Sequence, residues 1–402
     1  MSRVPRIRFK GFEEDWEQRK LGEMVEFYNG DRSSRYPNDS DMVFDGIPFI
    51  NAGDLVLGRV KLDTTNKITE EKYNQLSGAK IQCGDIIYCL RGTLGKNAFV
   101  DNFDIGTIAS SLVDIRPQKI VGKYLFQVLN SDIEYSQRIL NDEGAAQPNL
   151  SAKNLYLFDI PIPRDAEQIK IAEYLELLDH LITLHQRKLE KFKIIKKSML
   201  ENLFPQNGEK TPKIRFSGFT EDWEQRKLGE IGSVAMCRRV FKYQTTESGD
   251  IPFFKIGSFG ATPDAFIPKD LFEKLKMKYP YPEKGDVLIS ASGSIGRTVV
   301  FTGKDEYFQD SNIVWLKHDN SIINHFLKYL YSIVKWVGIE GTTIKRLYND
   351  NILKTEVIIP TLSEQQKVSN YLDGLDHLIT LHQSKLDKLQ KIKKSMLESM
   401  FV

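Results

Sequence analysis

Two stretches of the chain carry apolar residues in alternating steps of three and four, the period of a helix that buries one seam. In the first, Leu175, Leu178, Ile182, His185, Leu189, Phe192, Lys196, Met199 and Leu203 fall on one line. In the second, Leu372, Leu375, Ile379, His382, Leu386, Leu389, Lys393, Met396 and Met400 do the same. A seam needs a partner helix, and each stretch has the other to hand. The pattern therefore predicts two long helices pairing as an antiparallel coiled coil with pseudo-twofold symmetry. The first is predicted to begin near Asp165, past Pro161 and Pro163, and to end before Pro205.

Between these stretches the period shortens to that of strands. Glycine-bounded runs such as IPFINAG, DIIYCLRG and SSLVDIRP in the first half, and IPFFKIG, DVLISASG and NIVWLKH in the second, read as short strands. An amphipathic helix is predicted where Ile323, Phe326, Leu327, Leu330, Ile333, Val334 and Val337 share a face, with a counterpart from about Gly122 to Leu140. The fold class expected is α+β, with two tandem domains each followed by a long helix.

The chain is also written twice. PRIRFKGFEEDWEQRKLGE from Pro5 recurs as PKIRFSGFTEDWEQRKLGE from Pro212, and differs only at Arg6/Lys213, Lys10/Ser217 and Glu13/Thr220. DHLITLHQ recurs at Asp179 and Asp376, and KKSMLE at Lys196 and Lys393. The middles diverge and differ in length. This repeat is far too long for a stacked solenoid, so each half should have its own core. The boundaries expected are a first domain over 1–164, a helix over 165–204, a linker over 205–211, a second domain over 212–361 and a second helix over 362–402.

Composition narrows the function. Apolar residues make up 41% and charged residues 27%, which suits a folded protein with real cores. The formal charge is only +2, so a polyanion-binding surface must come from local segregation. Three cysteines, Cys83, Cys89 and Cys237, have no metal or redox spacing and read as buried thiols. The N-terminal residues lack the apolar stretch of a signal peptide, and no segment has the length of a membrane span, so a cytoplasmic location is expected. No phosphate-binding loop, NPPY or DPPY motif, dinucleotide fingerprint or HExxH is present, so no catalytic residues are assigned. The histidine pairs His180/His185 and His377/His382 are spaced by five, about 140° apart on a helix, and are not assigned to a metal. At the seam, His185 and His382 instead cost stability and fix register.

Three regions carry chemistry suited to DNA. The early loop of each half holds Arg32, Ser33, Ser34 and Arg35 in one copy, and Arg238, Arg239 and Lys242 with Tyr243 in the other. Arginine reaches guanine O6 and N7 with two bonds, and serine or arginine holds phosphate. GTLGK, with Thr93 and Lys96, is matched by GSIGR, with Ser294 and Arg297, where glycines permit a tight turn. Finally GAAQPN, with Gln147 and Asn149, faces GTTIKR, with Lys345 and Arg346, in the second copy. Amides pair naturally with adenine and guanidinium with guanine, so this exchange suits two domains reading different sequences. Each region also fits an ordinary solvated loop.

Taken together, two variable domains, the DWEQRKLGE openings and the Glu167-Gln168 and Glu364-Gln365 pairs opening each helix resemble the specificity subunits of type I restriction-modification enzymes. The resemblance covers the whole chain and implies a non-catalytic subunit. Each domain would read one half of an asymmetric, interrupted double-stranded DNA target. The helices would set the gap and bind two methyltransferase subunits, and restriction/translocase subunits would join them. It further implies that S-adenosylmethionine, ATP and Mg act on the partners and that this chain binds no cofactor. A coiled-coil scaffold with two protein-binding heads fits the same pattern, and strongly salt-dependent DNA binding separates the two.

Overall fold

The computed structural model describes residues 5–142, 148–206, 208–339 and 345–401. They form two compact units, one of residues 1–188 with 382–402 and the other of residues 189–381. Each unit thus contains one domain, the start of its own long helix and the end of the other long helix. The helices run Asp165–Asn202 and Leu362–Met400.

In the first unit an antiparallel sheet runs in the order Val25–Asn29, Leu112–Pro117, Ile86–Cys89, Asn97–Phe99. Ile86–Cys89 is buried throughout, and so is the stretch from Leu112 to Ile115, because both faces are covered. Ile86, Tyr88, Val113 and Ile115 face a core with Tyr124, Leu125 and Val128, whereas Ile87, Cys89 and Leu112 face a second cluster around Ile50 and Leu55. The second unit repeats this sheet as Gly232–Met236, Ile313–His318, Val287–Ser290, Thr298–Val300. A smaller mixed sheet accompanies each. It has four strands in the first unit, centred on Ile47–Ile50 and Asn66–Ile68, and three in the second, centred on Ile251–Phe254.

The repeated segments build a frame around these sheets. EQRK, which carries no strand signal in its side chains, is extended in both copies because Glu17–Lys20 pairs with Asp159–Ile162 and Glu224–Lys227 with Glu356–Ile359. Pro161 therefore belongs to a strand leading into the helix. At that junction Arg8 donates two bonds to Glu167, at 2.7 and 2.8 Å, and the Trp16 indole donates to the same carboxylate at 3.2 Å. Gln168 accepts from the Val121 N–H and donates to the Pro163 carbonyl, both at 2.9 Å. The second unit repeats the lock with Arg215 on Glu364 at 2.8 and 2.9 Å, and with Gln365 between the Ile323 N–H and the Pro360 carbonyl. All four Glu and Gln side chains are buried, so their hydrogen bonds offset a heavy desolvation cost.

In the first unit the helix segments run antiparallel, with Asp179 on Lys393 at 2.5 Å and His185 Nδ1 on His382 Nδ1 at 2.7 Å. In the second, Lys196 meets Asp376 at 2.5 Å. The aspartate of each DHLITLHQ thus pairs with the first lysine of the other helix's KKSMLE. Along the seam Leu175, Leu178, Leu189, Leu372, Leu375, His382 and Leu386 are buried, and Ile182, His185, Phe192, Ile379 and Leu389 are half-buried. The helix ends finish the two cores. Phe401 lies 6.5 Å from Trp16 and 5.8 Å from Tyr124, ring centre to ring centre, and Phe204 lies 5.9 Å from Trp223 and 5.3 Å from Phe326.

Three details depart from expectation. The helix expected over 122–140 is two, Gly122–Val128 and Asp132–Leu140, because the Ser131 hydroxyl donates to the Val128 carbonyl and caps the second helix at Ile133. Its counterpart is Asn324–Ile333 only, since Val334 turns extended and Val337 is exposed. Cys83 is exposed, although Cys89 and Cys237 are buried. No described helix is long and apolar enough to cross a membrane.

Candidate nucleic-acid interface

In each unit one end of the four-stranded sheet gathers four loops. Its register sets Asn29 beside Val113, Leu112 beside Cys89 and Tyr88 beside Asn97. The early loop after Asn29, the turn before Leu112 and the GTLGK turn after Cys89 are therefore neighbours. The Arg32 guanidinium donates to the Ser110 carbonyl at 3.3 Å and the Leu90 N–H to Ser111 at 2.9 Å. The second unit repeats this with Met236 beside Val314, Ile313 beside Ser290 and Ile289 beside Thr298.

The fourth segment is brought in by the backbone. Gly92 N–H donates to Pro148 and Leu150 N–H to Leu90, which lays Asn149 against Arg91. Gly293 N–H donates to Lys345 and Leu347 N–H to Ala291, which lays Arg346 against Ser292. Gly92, Gly95, Gly293 and Gly296 have φ between 67° and 84°, so the turn is left-handed at both ends and glycine is required there. A Cβ at Gly95 would stand 2.4 Å from the Arg138 side chain.

Arg32, Ser33, Ser34, Arg35, Arg238, Arg239, Lys242, Thr93, Ser294, Lys345 and Arg346 are all exposed at these loop ends. The first loop is held from below by Asp31, which is buried and accepts from Ser33 N–H at 2.6 Å and Ser77 N–H at 2.8 Å. Hydrogen bonding, from the Ser33 side chain foremost and then from these N–H groups, holds its carboxyl well below the usual carboxylate range despite burial. Lys96 and Arg297 have a different setting from the rest. Lys96 donates to the Ala52 carbonyl at 2.8 Å and Arg297 to the Phe259 carbonyl at 2.7 Å, so each ties its turn to the segment that follows Ile47–Ile50 or Ile251–Phe254 of the small sheet. Gln147 lies outside the described residues. Asn149 is half-buried and accepts from Arg91 Nε at 3.1 Å.

Arg91 is exposed in this cluster and is not among the residues singled out by sequence. Its signal was position, directly before the first glycine of the turn.

Among the described residues of the cluster, none pairs a nucleophile with a base. Burial pushes the Cys237 thiol up to about 12, which leaves it protonated. Among the described residues no group of three or more His, Cys, Asp or Glu is placed to hold a metal ion.

The family model for the type I restriction modification DNA specificity domain matches residues 13–193 and again 220–391. The chain belongs to this family of type I specificity subunits. A Haemophilus influenzae protein described as the type I restriction enzyme specificity subunit S.HindORF215P is 54% identical over 153 residues, 38% of this chain and 40% of that protein. The MjaVIII specificity subunit of Methanocaldococcus jannaschii is 22% identical over 412 residues, 96% of this chain and 91% of that one. The crystal structure of the S subunit of a type I restriction-modification system from M. genitalium superposes with a TM-score of 0.66 at 14% identity, covering 99% of each chain. This last likeness shows the fold. Specificity subunits are the non-catalytic component of these enzymes, and this one is built as two tandem domains of mixed helix and sheet, each followed by a long helix.

Proposed function

We propose that each specificity domain reads one half of an asymmetric, interrupted DNA target through the loop cluster at the end of its four-stranded sheet. One observation carries the reading. The segments that are nearly identical in the two halves form the ribbons, the helix locks and the helix pairing, whereas the four loops at the sheet end differ in almost every polar side chain. In the first domain Arg32, Ser33, Ser34, Arg35, Arg91, Thr93 and Asn149 face the duplex, with Gln147 nearby in sequence. In the second, Arg238, Arg239, Lys242, Ser294, Lys345 and Arg346 do so, while Lys96 and Arg297 set the turns. The long helices hold the half-sites at a fixed gap and bind two methyltransferase subunits, to which restriction/translocase subunits add. S-adenosylmethionine, ATP and Mg act on those partners. A chain 18% identical to this one, with a TM-score of 0.52, comes from a structure describing complex assembly and conformational transition of a type I system.

Selection of bound duplexes from a random pool tests the assignment. Arg346→Ala is expected to weaken binding by about 1–3 kcal/mol and relax one position of the second half-site, as lost base contacts do. Lys345→Ala is expected to weaken all sequences alike and flatten the salt dependence if it holds phosphate. Unchanged affinity and preference in both would remove this segment from the interface.

A further inference from the structure

The early loop of the second domain exposes more aromatic surface than its own fold uses. Phe241 and Tyr243 stack on each other at 5.8 Å with planes 9° apart, yet Phe241 is 50% and Tyr243 84% exposed. The Arg239 guanidinium lies over the Phe241 ring at 5.7 Å. Bonds internal to the loop hold the pair in place: Phe241 N–H donates to the Gln244 side chain, and the Gln244 and Thr245 N–H groups close the turn onto the Phe241 and Lys242 carbonyls. Beneath it, the Tyr307 hydroxyl donates to the Arg238 carbonyl. At the adjoining loop Ser311 has φ 34°, a left-handed conformation that strains a non-glycine residue. Before the matching strand at Ile47 the first domain exposes one ring fully, Phe44, and packs the other. Tyr36 is half-buried and packs edge-on against Phe49 at 5.6 Å.

Flat, rigid rings held outward among Arg238, Arg239 and Lys242 match one occupant on charge and shape, a stacked polyanion. Apolar side chains inserted at a base step partly unstack it and kink the duplex, and a ring against a base adds stacking free energy. We propose that Tyr243, backed by Phe241, enters a base step of the second half-site and bends the DNA there, so that the second domain reads deformability at that step. The proposal rests on the reading of the sheet-end loops as the DNA-facing surface. Flexible pyrimidine–purine steps are the expected target, because they unstack most easily.

The test uses the full chain and a duplex selected by it from a random pool, labelled at both ends for energy transfer. With the wild-type chain the ends should draw together on binding, and with Tyr243→Phe they should do the same. With Tyr243→Ala the duplex should stay straight, and affinity for it should fall about ten- to a hundredfold. Binding to a duplex of unrelated sequence should be unchanged. Because Tyr243 is exposed, thermal melting of both variants should match the wild type. A bend retained in Tyr243→Ala, or a loss of affinity shared equally by selected and unrelated duplexes, overturns the wedge. If the wild-type chain selects no sequence at all, the DNA-reading assignment fails first and takes the wedge with it.

Discussion

The two domains share a sheet and differ in what they place on it. Asp114 stands on the second strand of the first sheet, two residues past Leu112, and Trp315 occupies the matching place two residues past Ile313. Asn149 lies beside Arg91 in one cluster, and Arg346 lies beside Ser292 in the other. Tyr36 packs edge-on against Phe49 in the first domain's early loop, whereas Phe241 and Tyr243 stack on each other in the second's. By contrast Arg8 on Glu167 and Arg215 on Glu364 make nearly the same bonds in the two units, and Trp16 and Trp223 are both buried beside them. A duplicated chain keeps identity where both copies must satisfy the same buried groups. It drifts where side chains end in solvent.

The frames are not quite equal, and breaking them should show it. Trp16 donates its indole N–H to Glu167, but the Trp223 N–H is buried with no acceptor among the described residues. Removing one partner of a buried pair leaves the other uncompensated, at about 3–5 kcal/mol. Glu167→Ala should therefore cost about that much, and Glu364→Ala about 1 kcal/mol less, since only the former strands an indole as well. Urea melts of the two variants measure the gap. Equal losses would mean that the Trp16 bond contributes nothing net.

A second difference is electrical. Burial first, and the neighbouring Asp85 second, hold the Asp114 carboxyl well above the usual carboxylate range, against the pull of Arg116. The folded state then keeps a proton that the unfolded chain releases above pH ~4. The first domain should lose stability as pH rises from there towards the folded-state value, and the loss should then level off. Asp114→Asn keeps the shape of the protonated acid and should match the wild type near pH 4. At pH 7 it should be more stable by at least about 1 kcal/mol. A parallel pair of pH profiles would show instead that Asp114 is ionised in the fold. The second domain, with Trp315 there, should lack this dependence.

How far the sequence foretold these features depends on where each is determined. The seam was legible because a helix repeats every few residues and needs no distant partner to announce itself, and the sheet strands were legible from their apolar runs. The ribbon was not, since Glu17–Lys20 is polar and becomes a strand only because Asp159–Ile162 lies beside it. The purpose of the Glu-Gln pair was hidden for the same reason, as its partners Arg8 and Val121 are distant in sequence. Among the candidate contacts, residue type alone grouped Lys96 with Arg35. Only the fold separates them, by giving Lys96 a backbone carbonyl to hold.

The smallest expected effect lies where the halves coincide. His185 and His382 occupy the same place in the two copies of DHLITLHQ, and they meet through Nδ1 atoms 2.7 Å apart. Identical side chains cannot play identical parts in that bond, because one Nδ1 must donate and the other accept. At least one ring is therefore neutral in the folded state. Loss of solvent, above all, lowers both pKa values, and Lys188 and Lys385 push the same way. A group whose pKa falls on folding contributes stability that is full above its unfolded value, near 6.5, and is lost as pH drops through it. Doubly protonated rings would turn two donors on each other. In an Asp114→Asn background, which removes the opposing slope of that carboxyl, the chain should therefore melt a few degrees lower at pH 5.5 than at pH 8, by an amount that salt reduces as it screens the lysines. Replacing both histidines by leucine should remove this slope and raise stability, since an apolar pair suits a half-buried seam. The same change should weaken the preference of the helices for this register, seen as a broader melting transition or as mixed species in native mass spectra. If the double variant keeps the acid slope, the slope arises elsewhere, and the pair serves register alone.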